Sequence, residues 1–299
     1  MTSVPASPAR PAPSRLMTQQ KIDRKIKLGR GSGVRQSYVP WIKIWEIPSK
    51  GISHIVNGVK VHRAHHLLSN AERDYHLILE QDPSIIDIRE QFPLLMQAET
   101  LAIASSLNYR HPVYPGTDVP VVMTTDFLIT FLDPSGEERL AARSVKYRKE
   151  FEAADIKVQN RLAEKLEIEE KYWALRKVEW KLVLHENLSP VRITNLTILR
   201  TYATIHSSLP THKNISALLE YIEGCKTEQL PLRVLLEKAS RSIFMEYKAV
   251  KCLFHHLLWT GKLEADLSAK VIKLLEPLHV WVSKSSTPVT LPVEVPRHA

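Results

Sequence analysis

Three residues in the middle of the chain have the types and spacing for hydrolytic chemistry at a phosphate. Asp126 lies inside the apolar, β-prone run Met123-Thr124-Thr125-Asp126-Phe127-Leu128-Ile129. An aspartate there has poor strand propensity and needs a partner. Ser144 and Lys146 lie on the next β-prone run, where period two puts both on one face with side chains about 6.6–6.8 Å apart. A carboxylate beside a lysine suits metal-assisted hydrolysis. The carboxylate holds a divalent cation that generates hydroxide from water, and the ammonium steadies the nucleophile or the charge growing on the phosphate. Glu72 is a further carboxylate upstream. Duller readings stand beside these. Ser69-Asn70-Ala71-Glu72 is a capping-box string whose glutamate satisfies helix N–H groups. Lys146, followed by Tyr147-Arg148-Lys149, reads equally as a solvated basic edge.

The elements that must position these residues follow from periodicity. Ser69 is a natural N-cap for a helix carrying Ala71, Tyr75, Ile78 and Leu79, and Asp82-Pro83 ends it. Residues 85–95 read as a short strand and then a loop, and 98–107 as a second helix. The strongest β signal spans 119–132. Asp133-Pro134-Ser135-Gly136 is a turn, and a strand over 140–147 completes a hairpin with Asp126 on one arm and Ser144 and Lys146 on the other. A long charged helix over 152–175 and a strand over 180–184 follow. This order predicts an α/β layer with helices covering a sheet. Its Asp and Lys form the skeleton of a PD-(D/E)xK nuclease site, a degenerate pattern on its own. Beyond Asn187 strand patterning almost vanishes: 191–205, 216–223, 232–236 and 239–259 look helical, and 261–267 reads as a short β turn or wing. A mostly helical second domain therefore begins near Asn187. There is no internal repeat.

Composition bounds the partners. The chain has 299 residues and a net charge of +9, with 41 Lys+Arg against 32 Asp+Glu. Residues 1–60 hold eleven basic and two acidic residues, and the remainder holds thirty of each. A basic arm on a neutral body fits a polyanionic partner or a merely soluble tail. Residues 1–20, rich in Pro, Ala and Ser, read as a disordered tail. No stretch approaches the roughly 18 apolar residues of a membrane span, and the start of the chain lacks the apolar run of a leader. The expectation is a soluble, cytoplasmic protein without membrane contact. Cys225 and Cys252 form no CxxC pair, which fits a reducing compartment and excludes a cysteine-built zinc site. Gly29-Arg30-Gly31-Ser32-Gly33 reads as a loop that lays N–H groups on a phosphate or as a flexible hinge; without a Gly-Lys-Ser/Thr ending it is not a nucleotide P-loop. His62, His65 and His66, and likewise His255 and His256, read as structural or solvent-facing rather than as metal ligands. Trp41 and Trp45 suit core packing more than base stacking. No nucleophile elbow and no cysteine nucleophile context is present.

Longer blocks of sequence add a family resemblance. Gly29-Arg30-Gly31-Ser32-Gly33, Tyr38-Val39-Pro40-Trp41, His65-His66-Leu67-Leu68-Ser69 with Glu72, and Asp87-Ile88-Arg89-Glu90-Gln91-Phe92-Pro93-Leu94 resemble the TnsA family, the endonuclease subunits of heteromeric Tn7-like cut-and-paste transposases. The resemblance continues through Met123-Thr124-Thr125-Asp126-Phe127-Leu128, Ser144-Val145-Lys146, Lys165-Leu166-Glu167-Ile168-Glu169 with Tyr172-Trp173, and Leu182-Val183, in order, over about residues 25–186. It implies a restriction-endonuclease-like domain over 21–186, counting a basic lead-in, and a winged-helix-like, mostly helical domain over 187–299. It also implies nicking of DNA at the 5′ ends of a transposon with Mg2+, for which Mn2+ substitutes. The implied partners are double-stranded DNA at the transposon ends, a TnsB-type DDE transposase that cuts and joins the 3′ ends, and a TnsC-type AAA+ ATPase. By resemblance Glu72 and Asp126 fall on the acidic metal ligands and Lys146 on the catalytic lysine. The family commonly has Gln where this chain has Ser144, a shorter side chain that reaches a metal only through water or not at all; the Val145 backbone carbonyl is the compensating ligand. Lys25, Lys27, Arg30, Arg148 and Lys149 are the expected DNA contacts. Ser144 keeps a second reading open, a catalytically weak nuclease-fold scaffold bridging transposase, ATPase and DNA. A third, a stand-alone restriction or repair nuclease, predicts cleavage without partners.

Overall fold

Residues 16–46, 52–152 and 155–283 are described by the computed structural model. Helix α1 (Gln19–Lys27) is capped by the Thr18 side chain, and Ile22 is its one buried residue. An antiparallel hairpin, β1 (His54–Asn57) and β2 (Ala64–Leu67), leads into α2 (Asn70–Gln81). Ser69 Oγ accepts from Glu72 N at 3.1 Å and starts α2 where the string predicts, and the helix ends before Asp82-Pro83.

The frame is a mixed four-stranded sheet in the order β3 (Ile85–Pro93), β4 (Thr124–Leu132), β5 (Glu138–Lys146), β6 (Glu179–Leu184). β3/β4 and β4/β5 are antiparallel. β5/β6 is parallel, which demands a crossover, and α4 (Ile156–Leu175) supplies it. Phe127, Ile129 and Val145 pack against Ala71, Tyr75 and Leu79 of α2. Leu128 and Ala142 turn to the other face, covered by Ile103 of α3 (Gln97–Ser106) and by Ile168, Tyr172 and Trp173 of α4. Both faces are thus buried, and Phe127, Leu128 and Ile129 of β4 can be apolar in succession.

After β6 come α5 (Pro190–Arg200), α6 (His212–Glu223), α7 (Leu232–Ser242) and α8 (Tyr247–Trp259), and a two-residue ribbon, β7 (Leu263–Glu264) with β8 (Trp281–Val282). Leu196, Leu199, Leu218, Leu235, Leu253 and Phe254 have no exposed surface. Each is worth roughly 1.5–3 kcal/mol by removal from water. Leu77 and Ile78 of α2 join this second core. α2 therefore lies between sheet and helices, which is why nine of its twelve residues are buried.

Several boundaries depart from expectation. β4 begins at Thr124 rather than at 119, because Pro120 cannot donate to a ladder. The helix expected over 191–205 stops at Arg200. The break expected near 237 is absent: α7 runs through to Ser242, and the chain turns at Phe244, whose φ is 54°. Helix α1 and the β1–β2 hairpin were not foreseen. Of the segment expected to be a disordered tail, residues 1–15 lie outside the described residues, while Gln19 and Gln20 already belong to α1. Of the helix expected over 152–175, which begins only at Ile156, Ala153 and Ala154 lie outside them, as do 284–299 of the expected second domain.

The N–H groups of the Gly29–Gly33 segment are largely spent within the protein, which argues against the phosphate-cradle reading. Gly29 N donates to Ile26 O, Arg30 N to Lys25 O, Gly31 N to Val39 O and Ser32 N to Gly29 O, which uses four successive N–H groups internally. A Cβ at Gly31 would stand 2.1 Å from Pro93 Cγ, at a φ of +76° that side chains resist. The glycine lets this loop lie directly on the end of β3.

Candidate active site

The carboxyl ends of the parallel pair β5/β6, the start of β4 and the first turn of α2 converge at one end of the sheet, where open α/β folds place their ligands. Asp126 Oδ2 accepts from Lys146 Nζ at 2.6 Å and from Val145 N at 2.7 Å. Lys146 Nζ also donates to Val145 O at 3.0 Å. The hairpin thus delivers a carboxylate, a carbonyl and an ammonium to one point. Glu72 is buried and doubly engaged: Oε2 accepts from Leu68 N (2.9 Å) and Gln91 Nε2 (2.9 Å), and Oε1 from Ser69 Oγ (3.0 Å). The capping reading of Glu72 holds only in part: Ser69 caps the helix, but the Glu72 carboxylate bonds the Ser69 hydroxyl and Leu68 N rather than a helix N–H group. It does not exhaust the residue, because Glu72 also feels the Asp126 charge. Gln91 reaches Glu72 from a left-handed backbone (φ 49°) within β3, a strained conformation for a buried glutamine.

Glu169 of α4 is a third buried carboxylate, absent from the sequence-derived set. Its Oε1 accepts from Ser144 Oγ (2.6 Å), Thr125 Oγ1 (2.7 Å) and Trp180 Nε1 (2.9 Å), and Trp173 Nε1 donates to Thr125 Oγ1 (2.6 Å). Ser144 therefore commits its hydroxyl hydrogen to Glu169. A signal for Glu169 was present: Leu162, Leu166, Glu169 and Trp173 follow 4-3-4 helical spacing, so the glutamate occupies an apolar stripe position.

Burial, and after it the charge of Asp126, pushes Glu72 up to about 7. The same two causes in the same order push Glu169 up to about 7, against the bonds it accepts. Burial disfavours the Lys146 ammonium, yet the Asp126, Glu169 and Glu72 carboxylates outweigh it and raise its pKa. Three carboxylates share one lysine in a low-dielectric pocket. This oxygen-rich, negatively charged set, with the Val145 carbonyl, fits a hard divalent cation such as Mg2+ or Mn2+.

The expected DNA contacts fall into two groups. Lys25 Nζ pairs with Glu46 (3.1 Å) and lies 5.3 Å from the Trp41 ring centroid, while Arg30 pairs with Glu46 (2.7 Å) and with Pro40 O (3.1 Å). Lys27, Arg148 and Lys149 have exposed side chains. Trp41 is buried beside Ile22 and Val122, whereas Trp45 is exposed. His255 and His256 donate from Nδ1 to the carbonyls of Lys251 and Tyr202, as structural residues do. His62 is exposed, but His65 and His66 are buried in β2. Among the described residues no helix is long and apolar enough to cross a membrane.

Comparison with known proteins bears on the whole region. A family model described as the TnsA-like endonuclease N terminal matches residues 82–185. That segment contains Asp126, Ser144, Lys146 and Glu169 and begins beyond Glu72. Transposon Tn7 transposition protein TnsA of Escherichia coli is 35% identical over 206 residues, which is 69% of this chain and 71% of that protein.

Proposed function

The chain belongs to the TnsA family, and from that premise we propose that it is the endonuclease subunit of a Tn7-like transposition system, hydrolysing phosphodiester bonds at the 5′ ends of the element. The observation that carries the reading is the convergence of Asp126, the Val145 carbonyl and Lys146 on one point, with Glu72 electrostatically coupled to it. Glu72, Asp126 and the Val145 carbonyl would hold Mg2+. When bound, the ion would lower the pKa of a water it holds and neutralise charge on the scissile phosphate. Asp126 orients the attacking side of the site through its bonds from Val145 N and Lys146. Lys146 carries the cationic partner for the phosphate oxygens as charge accumulates there. Glu169, through Ser144 and Thr125, holds the end of β5 in register against β4 and α4. Exposed Lys27, Arg148 and Lys149 supply phosphate contacts. The helical region, read as winged-helix-like, would engage DNA and a TnsC-type ATPase, and a TnsB-type transposase would act at the 3′ ends. The products are a 3′-hydroxyl and a 5′-phosphate.

The test is cleavage of end-bearing DNA by the full chain with its cognate transposase and Mg2+. Asp126→Ala is expected to lose at least about a hundredfold in 5′-end cleavage. Undiminished cleavage by this variant overturns the assignment. Ser144, tied to Glu169 instead of facing a cation, favours a second reading as a weakly catalytic scaffold. A scaffold would show no Mn2+ binding that depends on Glu72 and Asp126.

A further inference from the structure

One buried cluster lies outside the nuclease site. His65 of β2 and His76 of α2 have 0% and 1% of their surface exposed, with ring centroids 4.3 Å apart. His65 Nδ1 is 2.8 Å from Glu90 Oε2. Glu90 is fully buried and is held ionised by the Arg63 guanidinium, so this bond fixes the proton on Nδ1 and leaves a lone pair on Nε2. A histidine whose far nitrogen is held by a carboxylate is how proteins orient an imidazole toward a metal. His65 Nε2 has no hydrogen-bond partner, and neither has His76 Nε2. Two orphaned ring nitrogens in one pocket would cost about 1–3 kcal/mol each if nothing bound them. Glu80, also buried, stands four residues beyond His76 and so on the same face of α2. Ligand atoms of His65, His76 and Glu80 all lie within 4.8 Å of one another. A Cβ at residue 58 would stand 2.7 Å from His65 Nε2, so glycine there keeps the approach to that nitrogen clear.

We propose that His65 Nε2, His76 Nε2 and the Glu80 carboxylate form a structural Zn2+ site, separate from the nuclease cations. Two imidazole nitrogens select zinc over magnesium, which demands oxygen ligands and retains its waters. With bonds of about 2.0–2.1 Å, a tetrahedral ion draws its ligand atoms to roughly 3.3 Å. The three side chains close by no more than about 1.5 Å, a displacement that imidazole and carboxylate torsions supply. The second Glu80 oxygen or a water completes the tetrahedron. Val59 N and Arg200 Nε, which donate to Glu80 at 2.5 and 2.7 Å, become its outer-shell partners. The ion would pin the β1–β2 hairpin to α2 and, through Arg200, to the helical region. His76 lies one helical turn from Glu72, so the same ion steadies the turn that presents Glu72 to the nuclease site.

The test uses the full chain, tag removed and stripped with chelator, then equilibrated with Zn2+, dialysed and analysed for metal by mass spectrometry. Wild type is expected to retain one zinc per chain and to melt at a higher temperature with it. Asp126→Ala, which lacks the nuclease ligand, is expected to retain it too. His76→Gln and Glu80→Gln, each checked for fold by circular dichroism, are expected to weaken zinc binding by at least about a hundredfold. Co2+ loaded in place of zinc should give four-coordinate visible absorption in wild type and none in His76→Gln. A wild type that keeps no zinc means that the two rings only pack against each other, and the proposal fails. It fails equally if His76→Gln keeps as much zinc as wild type, or if Asp126→Ala loses it.

Discussion

Lys146 rests on Asp126 Oδ2 and Val145 O, two of the oxygens that a nuclease cation would use. Its ammonium and that cation therefore compete, and removing the charge has opposite effects on binding and on catalysis. Lys146→Met is expected to bind Mn2+ about fivefold or more tightly by calorimetric titration, since a like charge about 4 Å away costs about 1 kcal/mol even in water. The same variant should lose at least about a hundredfold in cleavage. Weaker Mn2+ binding would show that the lysine does not share those oxygens with the metal. The carboxylates make a second prediction. Glu72 and Glu169 each titrate near 7 in the fold against 4.5 ordinarily. Between those values the folded chain keeps protons that the unfolded chain has released, so metal-free stability falls as pH rises from about 4.5 to about 7 and then levels off. Urea midpoints at pH 5 and 7.5 should show the fall, Glu72→Gln should reduce it, and Mg2+ should oppose it at the higher pH. At this scale the sequence was legible where an ionisable residue broke a pattern: Asp126 interrupts an apolar strand. Glu169 interrupts an apolar helical stripe just as clearly, but the dense Glu and Lys around it make that stripe look like a solvated face.

At the scale of elements, α2, the β4–β5 hairpin, α4 and β6 were readable because each carries a local signal: a cap, a turn, a periodicity. Helix α1 and the β1–β2 hairpin carry weaker ones, for α1 little beyond the Thr18 cap. α1 contributes a single buried residue, Ile22, whose worth depends on Trp41 and Val122 from distant segments. β2 reads Ala-His-His-Leu, and the partner that its polar groups need comes from another strand, where Glu90 accepts hydrogen bonds from His65 Nδ1 and from His66 N. The glycine loop was ambiguous for the same reason, since what it meets is Pro93. That contact separates two substitutions of equal backbone strain. Gly31 and Gly136 have φ of +76° and +84°, but a Cβ at Gly136 meets nothing within 4 Å. Gly136→Ala should cost about 1–2 kcal/mol of strain alone. Gly31→Ala should cost clearly more, through overpacking against Pro93 worth typically 1–3 kcal/mol further. Thermal unfolding of the two variants checks the order.

At the scale of the molecule, the nine surplus charges divide once their partners are known. Lys25 and Arg30 are engaged with Glu46, while Lys27, on the same helix as Lys25, is exposed. Replacing Lys27 with Ala should reduce the slope of log K against log salt by about 0.9 if it meets DNA phosphate, without loss of stability. Removing residues 1–15, which leaves Met17 and the Thr18 cap in place, should leave that slope and cleavage nearly unchanged; a deletion as damaging as Lys27→Ala would assign the tail to the DNA interface. Local chemistry written in the sequence determined the α/β order, the hairpin bearing Asp126 and Lys146, and the family to which the chain belongs, because turns, caps and periodicities act over a few residues. Tertiary structure alone decided the rest. Residues far apart in the chain acquired meaning when burial removed water from between them: Glu169 beneath Ser144, Arg200 on Glu80, and His65 facing His76, where the low dielectric turns an unpaired nitrogen into a demand for a partner.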